Sequence, residues 1–156
     1  MGTMLNYRCK NPECDFSLDF SDGIGMLYPV HYQKTVEEMK KGKMGKVLKD
    51  FFDEHPDGAV NIENAIVQCS KCKKCEVRKN LTMYIPDPKI KKKKKAELKD
   101  YVSISYPDDD DYIEYAKYPH KCGYCGGEMN IIDRENFKIC PICGAGLIEE
   151  EVGFWD

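Results

Sequence analysis

Nine cysteines in three patches constrain this 156-residue chain more than any other feature. They stand at 9 and 14, at 69, 72 and 75, and at 122, 125, 140 and 143. The first residues, Met1 to Cys9, carry no apolar stretch of the kind a secretory signal needs. No apolar run approaches the roughly 20 residues of a membrane span. The expected location is the cytoplasm, without membrane association. In a reducing compartment, paired cysteines are not expected to be disulfides. Two thiols three positions apart across a tight turn can instead grip one side of a tetrahedral metal ion. A second such pair completes a four-thiolate site.

The carboxy-terminal set has the clearest spacing. Cys122-Gly123-Tyr124-Cys125-Gly126 is followed, after fourteen residues, by Cys140-Pro141-Ile142-Cys143-Gly144. A glycine after each second cysteine can adopt positive φ, which turns backbone N–H groups toward the sulfurs. Between the pairs, Met129, Ile131 and Ile132 precede the turn residues Asp133 to Asn136, and Phe137 and Ile139 follow them. This reads as a hairpin that brings Cys122, Cys125, Cys140 and Cys143 onto one Zn²⁺.

Five cysteines remain for a second site. Cys9-Lys10-Asn11-Pro12-Glu13-Cys14 is a wider pair, and Cys69-Ser70-Lys71-Cys72-Lys73-Lys74-Cys75 offers three thiols. Neither has the trailing glycine. The expected ligands are Cys9, Cys14, Cys69 and Cys72, because the apolar run Ala65-Ile66-Val67 leads straight into Cys69. Cys75 is then a spare thiol. A Cys72/Cys75 pairing stays open, as does a redox role for the leftover thiol. The expectation is two Zn²⁺ per chain, with iron as the alternative. His31, His55 and His120 read as ordinary surface or packing histidines, although His120 stands close enough to Cys122 to compete as a ligand.

The remaining pattern is α+β and β-rich, with two four-cysteine sites and a helical insertion in the first. Phe16, Leu18 and Phe20 alternate with Ser17 and Asp19, a half-buried strand. Met26 to Tyr28 reads as a strand end before Pro29. A helix is expected over 35–54, opened by a Thr35/Glu38 capping box. Its apolar face is Val36, Met39, Val47, Leu48, Phe51 and Phe52, and Gly42 and Gly45 split or kink it. Further strands are expected at 81–85, 101–106 and 112–118, and from Leu147 to Trp155. The domain expectation is 1–86 with the helical insertion, a charged linker over 87–120, and a small metal domain over 121–156.

Charge bears on partners. The run Lys91 to Lys95 could hold phosphates, but residues 87–121 contain nine Lys and eight Asp or Glu, including the Asp108–Asp111 turn. Eight thiolates holding two Zn²⁺ would take the formal charge from −3 to about −7, a field that disfavours nucleic acid overall. No motif specifies a partner protein or an oligomeric state. No nucleotide loop, Ser-His-Asp set or His-Glu-x-x-His motif is present. Four cysteines also close a metal's coordination, so no enzyme activity is expected.

The stretch Cys122–Cys143 resembles the zinc-ribbon superfamily, and its Cys140-Pro141-Ile142-Cys143-Gly144 turn is also similar to rubredoxins. Tyr7-Arg8-Cys9-Lys10-Asn11, Gly23 to Pro29 and Cys69-Ser70-Lys71-Cys72 together resemble uncharacterised bacterial zinc-ribbon proteins. Those have a tighter first pair, which Pro12-Glu13 widens here. The resemblance implies structural zinc and an adaptor or scaffold role in protein or nucleic-acid-associated complexes. The rubredoxin likeness implies an iron electron carrier instead. Fold does not choose among such roles.

Overall fold

Strand formation in this chain is led by β-branched and aromatic alternation, and its helices by a 3.6-residue apolar stripe. The computed structural model describes residues 2–89 and 112–155. Its elements in chain order are β1 (Gly2–Cys9), β2 (Ser17–Gly23), α1 (Tyr28–Lys40), α2 (Lys46–Glu54) and β3 (Ala59–Val60), then β4 (Asn64–Cys69), β5 (Cys75–Lys79) and β6 (Met83–Pro86). After these come β7 (Tyr112–Ala116), β8 (Met129–Ile132), a 3₁₀ turn (Arg134–Asn136) and β9 (Leu147–Trp155). The fold is α+β and strand-rich. The lysine run Lys91–Lys95, the expected strand 101–106 and the Asp108–Asp111 turn lie outside the described residues.

The chain-order domains 1–86, 87–120 and 121–156 are replaced by two interleaved units. One comprises Met1–Gly25, Asn64–Asn80 and Pro119–Asp156, and the other Met26–Glu63 and Leu81–Tyr118. The reason is strand pairing between residues far apart in sequence, which local patterning does not reveal.

The first unit holds two three-stranded antiparallel sheets, ordered β2-β1-β9 and β5-β4-β8. Both follow one plan. A strand enters a cysteine turn and returns as its hairpin partner. A later cysteine turn then feeds a third strand onto the first strand's other edge. Cys9 ends β1 opposite Leu147 of β9, and Cys69 ends β4 opposite Met129 of β8. Leu5, Tyr7, Phe20, Ile66, Phe137, Cys140 and Leu147 form one buried cluster, and Val67, Cys69, Cys122 and Met129 another. Tyr7 meets Phe137 edge-on at 5.1 Å between ring centroids.

Two local expectations change here. The alternation at Leu18–Phe20 does form β2. The expected hairpin across Asp133–Asn136 does not form, because β8 pairs with β4 instead. Asp133 accepts the Glu135 N–H at 3.1 Å and caps the 3₁₀ turn. The chain is thereby sent to bury Phe137 and to leave Ile139 exposed, bridging only Gly146.

The second unit packs α1 and α2 with the antiparallel sheet β3-β6-β7. The helix begins at Tyr28, seven residues before the expected Thr35 cap. Pro29 lies in its first turn, where a missing N–H costs nothing and φ is already helical. Gly42 and Gly45, at φ 76° and 97°, separate the two helices. Tyr28, Tyr32, Met39, Leu48, Phe51 and Phe52 are buried, whereas Val47 points outward. Phe51 packs against Phe52, His55 and Tyr115 with centroids 5.1, 5.5 and 5.6 Å away. A Cβ on Gly58 would lie 2.6 Å from the Phe51 ring, so only glycine fits there. No helix among the described residues is long and apolar enough to cross a membrane.

Candidate metal centres

Three of the four cysteine turns share one hydrogen-bond frame. The first cysteine's N–H donates to the carbonyl five residues on: Cys69 to Lys74 at 3.0 Å, Cys122 to Gly127 at 2.8 Å and Cys140 to Ala145 at 2.7 Å. Its carbonyl accepts from the residue four on: Lys73 at 3.1 Å, Gly126 at 2.9 Å and Gly144 at 3.0 Å. The donors Lys73, Gly126 and Gly144 all have positive φ, at 61°, 69° and 76°. Lys73 therefore takes a left-handed position that glycine fills in the other two turns. Aligning the three Cys-x-x-Cys segments is the signal that would have singled it out. The fourth turn is longer. Cys9 N–H donates to Phe16 at 3.1 Å, and Asn11 Oδ1 accepts the Glu13 N–H at 3.0 Å.

All eight expected ligands lie in two groups of four, but their grouping differs from the chain-order one. Cys9 and Cys14 meet Cys140 and Cys143, while Cys69 and Cys72 meet Cys122 and Cys125. The exchange follows from the sheets: β1 pairs with β9 and β4 with β8, so each early turn faces the late turn that its own strand partner leaves. The helices accordingly lie in sequence between the early turns of two different centres, not within one.

Sulfur spacing fits a metal and not a disulfide. Within each group, the four atoms lie within 4.8 Å of one another. Cys9 and Cys143 are 3.3 Å apart, Cys14 and Cys140 3.7 Å, Cys69 and Cys125 3.4 Å, and Cys72 and Cys122 3.7 Å. A disulfide would need about 2.05 Å. A tetrahedral ion with metal–sulfur bonds of about 2.3 Å sets its sulfurs about 3.8 Å apart. All nine cysteines are free thiols.

Backbone amides prepare the sulfurs for negative charge. Amides of Cys72 and Lys71 draw the Cys69 thiol down to about 6, and those of Cys125 and Tyr124 lower Cys122. The Ala145 amide, helped by the Cys9 sulfur, draws Cys143 down to about 7. Their partners move the other way. Burial, against the Asn11 amide, pushes Cys9 up to about 12 beside three sulfurs. At Cys14 the Phe16 amide is outweighed by burial and by Cys143 and Cys140, and the thiol rises. At Cys72 the Lys74 amide is likewise outweighed by burial and neighbouring sulfurs, and the thiol rises to about 12. Four crowded sulfurs do not ionise together without a cation, and a bound metal ion removes that conflict.

Cys75 belongs to neither group. It is half-buried against the larger core cluster, and burial pushes its thiol up to about 11. A thiol raised in this way is little ionised at neutral pH, and it stands partly in the core and partly toward solvent. His120 is buried, and its Nε2 lies 2.9 Å from the Asn80 carbonyl. His55 packs against both Phe51 and Tyr115, tilted to one and edge-on to the other, and His31 is an exposed residue of α1. No histidine joins either cysteine group. No protein-family model matches this chain, and no curated protein or solved structure matches it.

Proposed function

We propose that the chain binds two Zn²⁺, one in each centre, and that these ions hold together a non-catalytic interaction module. In this reading the protein is a cytoplasmic adaptor in protein or nucleic-acid-associated complexes. One observation carries the proposal. Each centre has four sulfurs from two opposed turns, ordered by backbone amides, and no other His, Asp or Glu among the described residues joins either group. Four thiolates close a tetrahedral ion's coordination, whereas a catalytic zinc keeps one position open. Structural zinc binding is worth roughly 10–16 kcal/mol in small domains, as much as the whole stability of an ordinary domain. Two such ions would therefore decide whether the sheets form at all.

Iron fits the same four sulfurs. The exposure of Cys143 in the first centre and of Cys72 and Cys125 in the second favours a second reading as a rubredoxin-like electron carrier. Native mass spectrometry with elemental analysis separates these readings, on full chain purified without a metal-binding tag. Two zinc per chain is the expected result. Coloured protein with two iron would replace the scaffold by the electron carrier. One metal or none would overturn the two-centre reading.

A further inference from the structure

The two centres differ in surface charge. Counted with two residues on either side, the turns of the first, Cys9–Cys14 and Cys140–Cys143, carry Arg8, Lys10 and Lys138 against Glu13 and Asp15, whereas those of the second carry four lysines and no acid. Around the second stand Lys71, Lys73, Lys74 and Lys121, all exposed. Of the nearby acids, Glu76 is paired with Arg78 at 2.6 Å, and Glu128 stands opposite Lys121 in a β-bridge, which leaves Lys71, Lys73 and Lys74 as the cationic track. A four-thiolate ion does not by itself require such an excess of lysines, since the first centre has its basic side chains nearly balanced by Glu13 and Asp15. Beside them Tyr124 is 79% exposed, with Lys74 Nζ 5.7 Å from its ring centroid, so most of the ring is open. Lys73 and Lys74 also line an open groove of about 540 Å³ that is bordered by turns of both centres. Cys72, Cys75, Phe16, Pro141 and Ile142 complete its lining, with Ser17 as a hydrogen-bonding group and the Asp15 carboxylate as its one acid, a site for a base donor and not for a phosphate.

We propose that this face binds single-stranded nucleic acid. One base stacks on Tyr124, Lys73 and Lys74 hold phosphates, and the next base enters the groove against Phe16 and Ile142. Exposed aromatic faces beside a cationic track are the general means of holding single strands, and an acidic peptide has no aromatic bases to stack on them. The chain's net negative charge does not forbid it. Screening acts over about 8 Å at physiological salt, so a strand on this face feels chiefly the local lysines. The proposal rests on the two-centre reading, because the metal-bound turns present these side chains, but it concerns different residues.

The test is fluorescence anisotropy with labelled oligo-dT and oligo-rU on the full, metal-loaded chain at low and moderate salt. Native mass spectrometry of every variant is run in parallel. Tyr124→Ala is expected to weaken binding roughly 5- to 150-fold. Lys73→Asn with Lys74→Gln is expected to flatten the log–log salt dependence by about 1.4. Both variants should keep two metals. No binding of either oligonucleotide by the wild type would overturn the proposal. So would binding that ignores both variants and is lost when Lys91–Lys95 are neutralised. So would a polyglutamate peptide that displaces the strands and is itself indifferent to Tyr124→Ala. Tyr124-dependent binding by a wild-type chain carrying one metal, lost on Cys72→Ser with Cys125→Ser, would support this proposal and sink the two-centre reading.

Discussion

The two centres are built to one plan on unequal supports. The first joins strands of eight and nine residues through a wide Cys9–Cys14 turn and sits against Leu5, Tyr7, Phe20, Phe137 and Leu147. The second joins strands of six and four residues; one face of its sheet lends Ile66, Val77 and Ile132 to the first centre's cluster, while the face that carries its cysteines is covered by little more than Val67, Met129 and Ile131. Loop length does not explain the inequality. Closing 134 residues, as Cys9 to Cys143 does, against 56, as Cys69 to Cys125 does, differs by only about 0.8 kcal/mol. Burying one large apolar side chain is worth about 2 kcal/mol, so hydrophobic cover decides. The second ribbon depends more on its metal than the first.

Paired cysteine substitutions give the largest expected effect and could break this comparison outright. Cys14→Ser with Cys140→Ser is expected to release one metal, because both lie in the first centre. Cys14→Ser with Cys69→Ser is expected to release both. Metal counts by native mass spectrometry in the reverse order would restore the chain-order grouping. In hydrogen exchange, the β4 and β8 amides should lose more protection in Cys72→Ser with Cys125→Ser than the β1 and β9 amides lose in the Cys14/Cys140 pair. Equal losses would remove the claim of unequal support.

Smaller changes sharpen the contrast. A Cβ on Gly127 would lie 2.9 Å from Cys69 Sγ and 3.2 Å from Cys125 Sγ. The equivalent position of the first centre already holds Ala145, opposite a turn two residues longer. Gly127→Ala should therefore lower the metal affinity of the second centre about tenfold in a chelator titration, leaving the first unaffected. Lys73→Gly should raise the melting temperature. It relieves a left-handed backbone cost of about 1 kcal/mol, and Gly126→Ala should lower stability by a similar amount. Cys75→Ser comes last. It should keep both metals and cost about 1 kcal/mol or less in urea unfolding, and loss of a metal would return Cys75 to the ligand set.

Much of the candidate site was legible because metal ligation is written in short spacing. Cys122, Cys125, Cys140 and Cys143 announce two turns through their glycines, and Phe16, Leu18 and Phe20 mark a strand leaving the Cys9–Cys14 turn. Lys73 was not legible because a lysine at positive φ violates the preference that made the glycines informative. The start of α1 was missed because Pro29 reads as a stop when it in fact lies in a first turn. The false hairpin after β8 arose because apolar residues on both sides of Asp133 suit two strands. The partner of β8 was instead β4, some sixty residues earlier in the chain.

By itself, the sequence determined that eight cysteines stand in four turns, and that the elements joining them are short strands with a helical stretch. Those features depend on neighbours a few residues apart. Which turn faces which was decided only by tertiary structure. Loop entropy alone favours joining Cys122–Cys125 to the nearby Cys140–Cys143 turn, by about 2 kcal/mol over reaching back across 134 residues. Pairing all eight residues of β1 with β9 outweighs that difference, at about 1 kcal/mol net for each hydrogen bond. The gain exists only once the two ends of the chain have met.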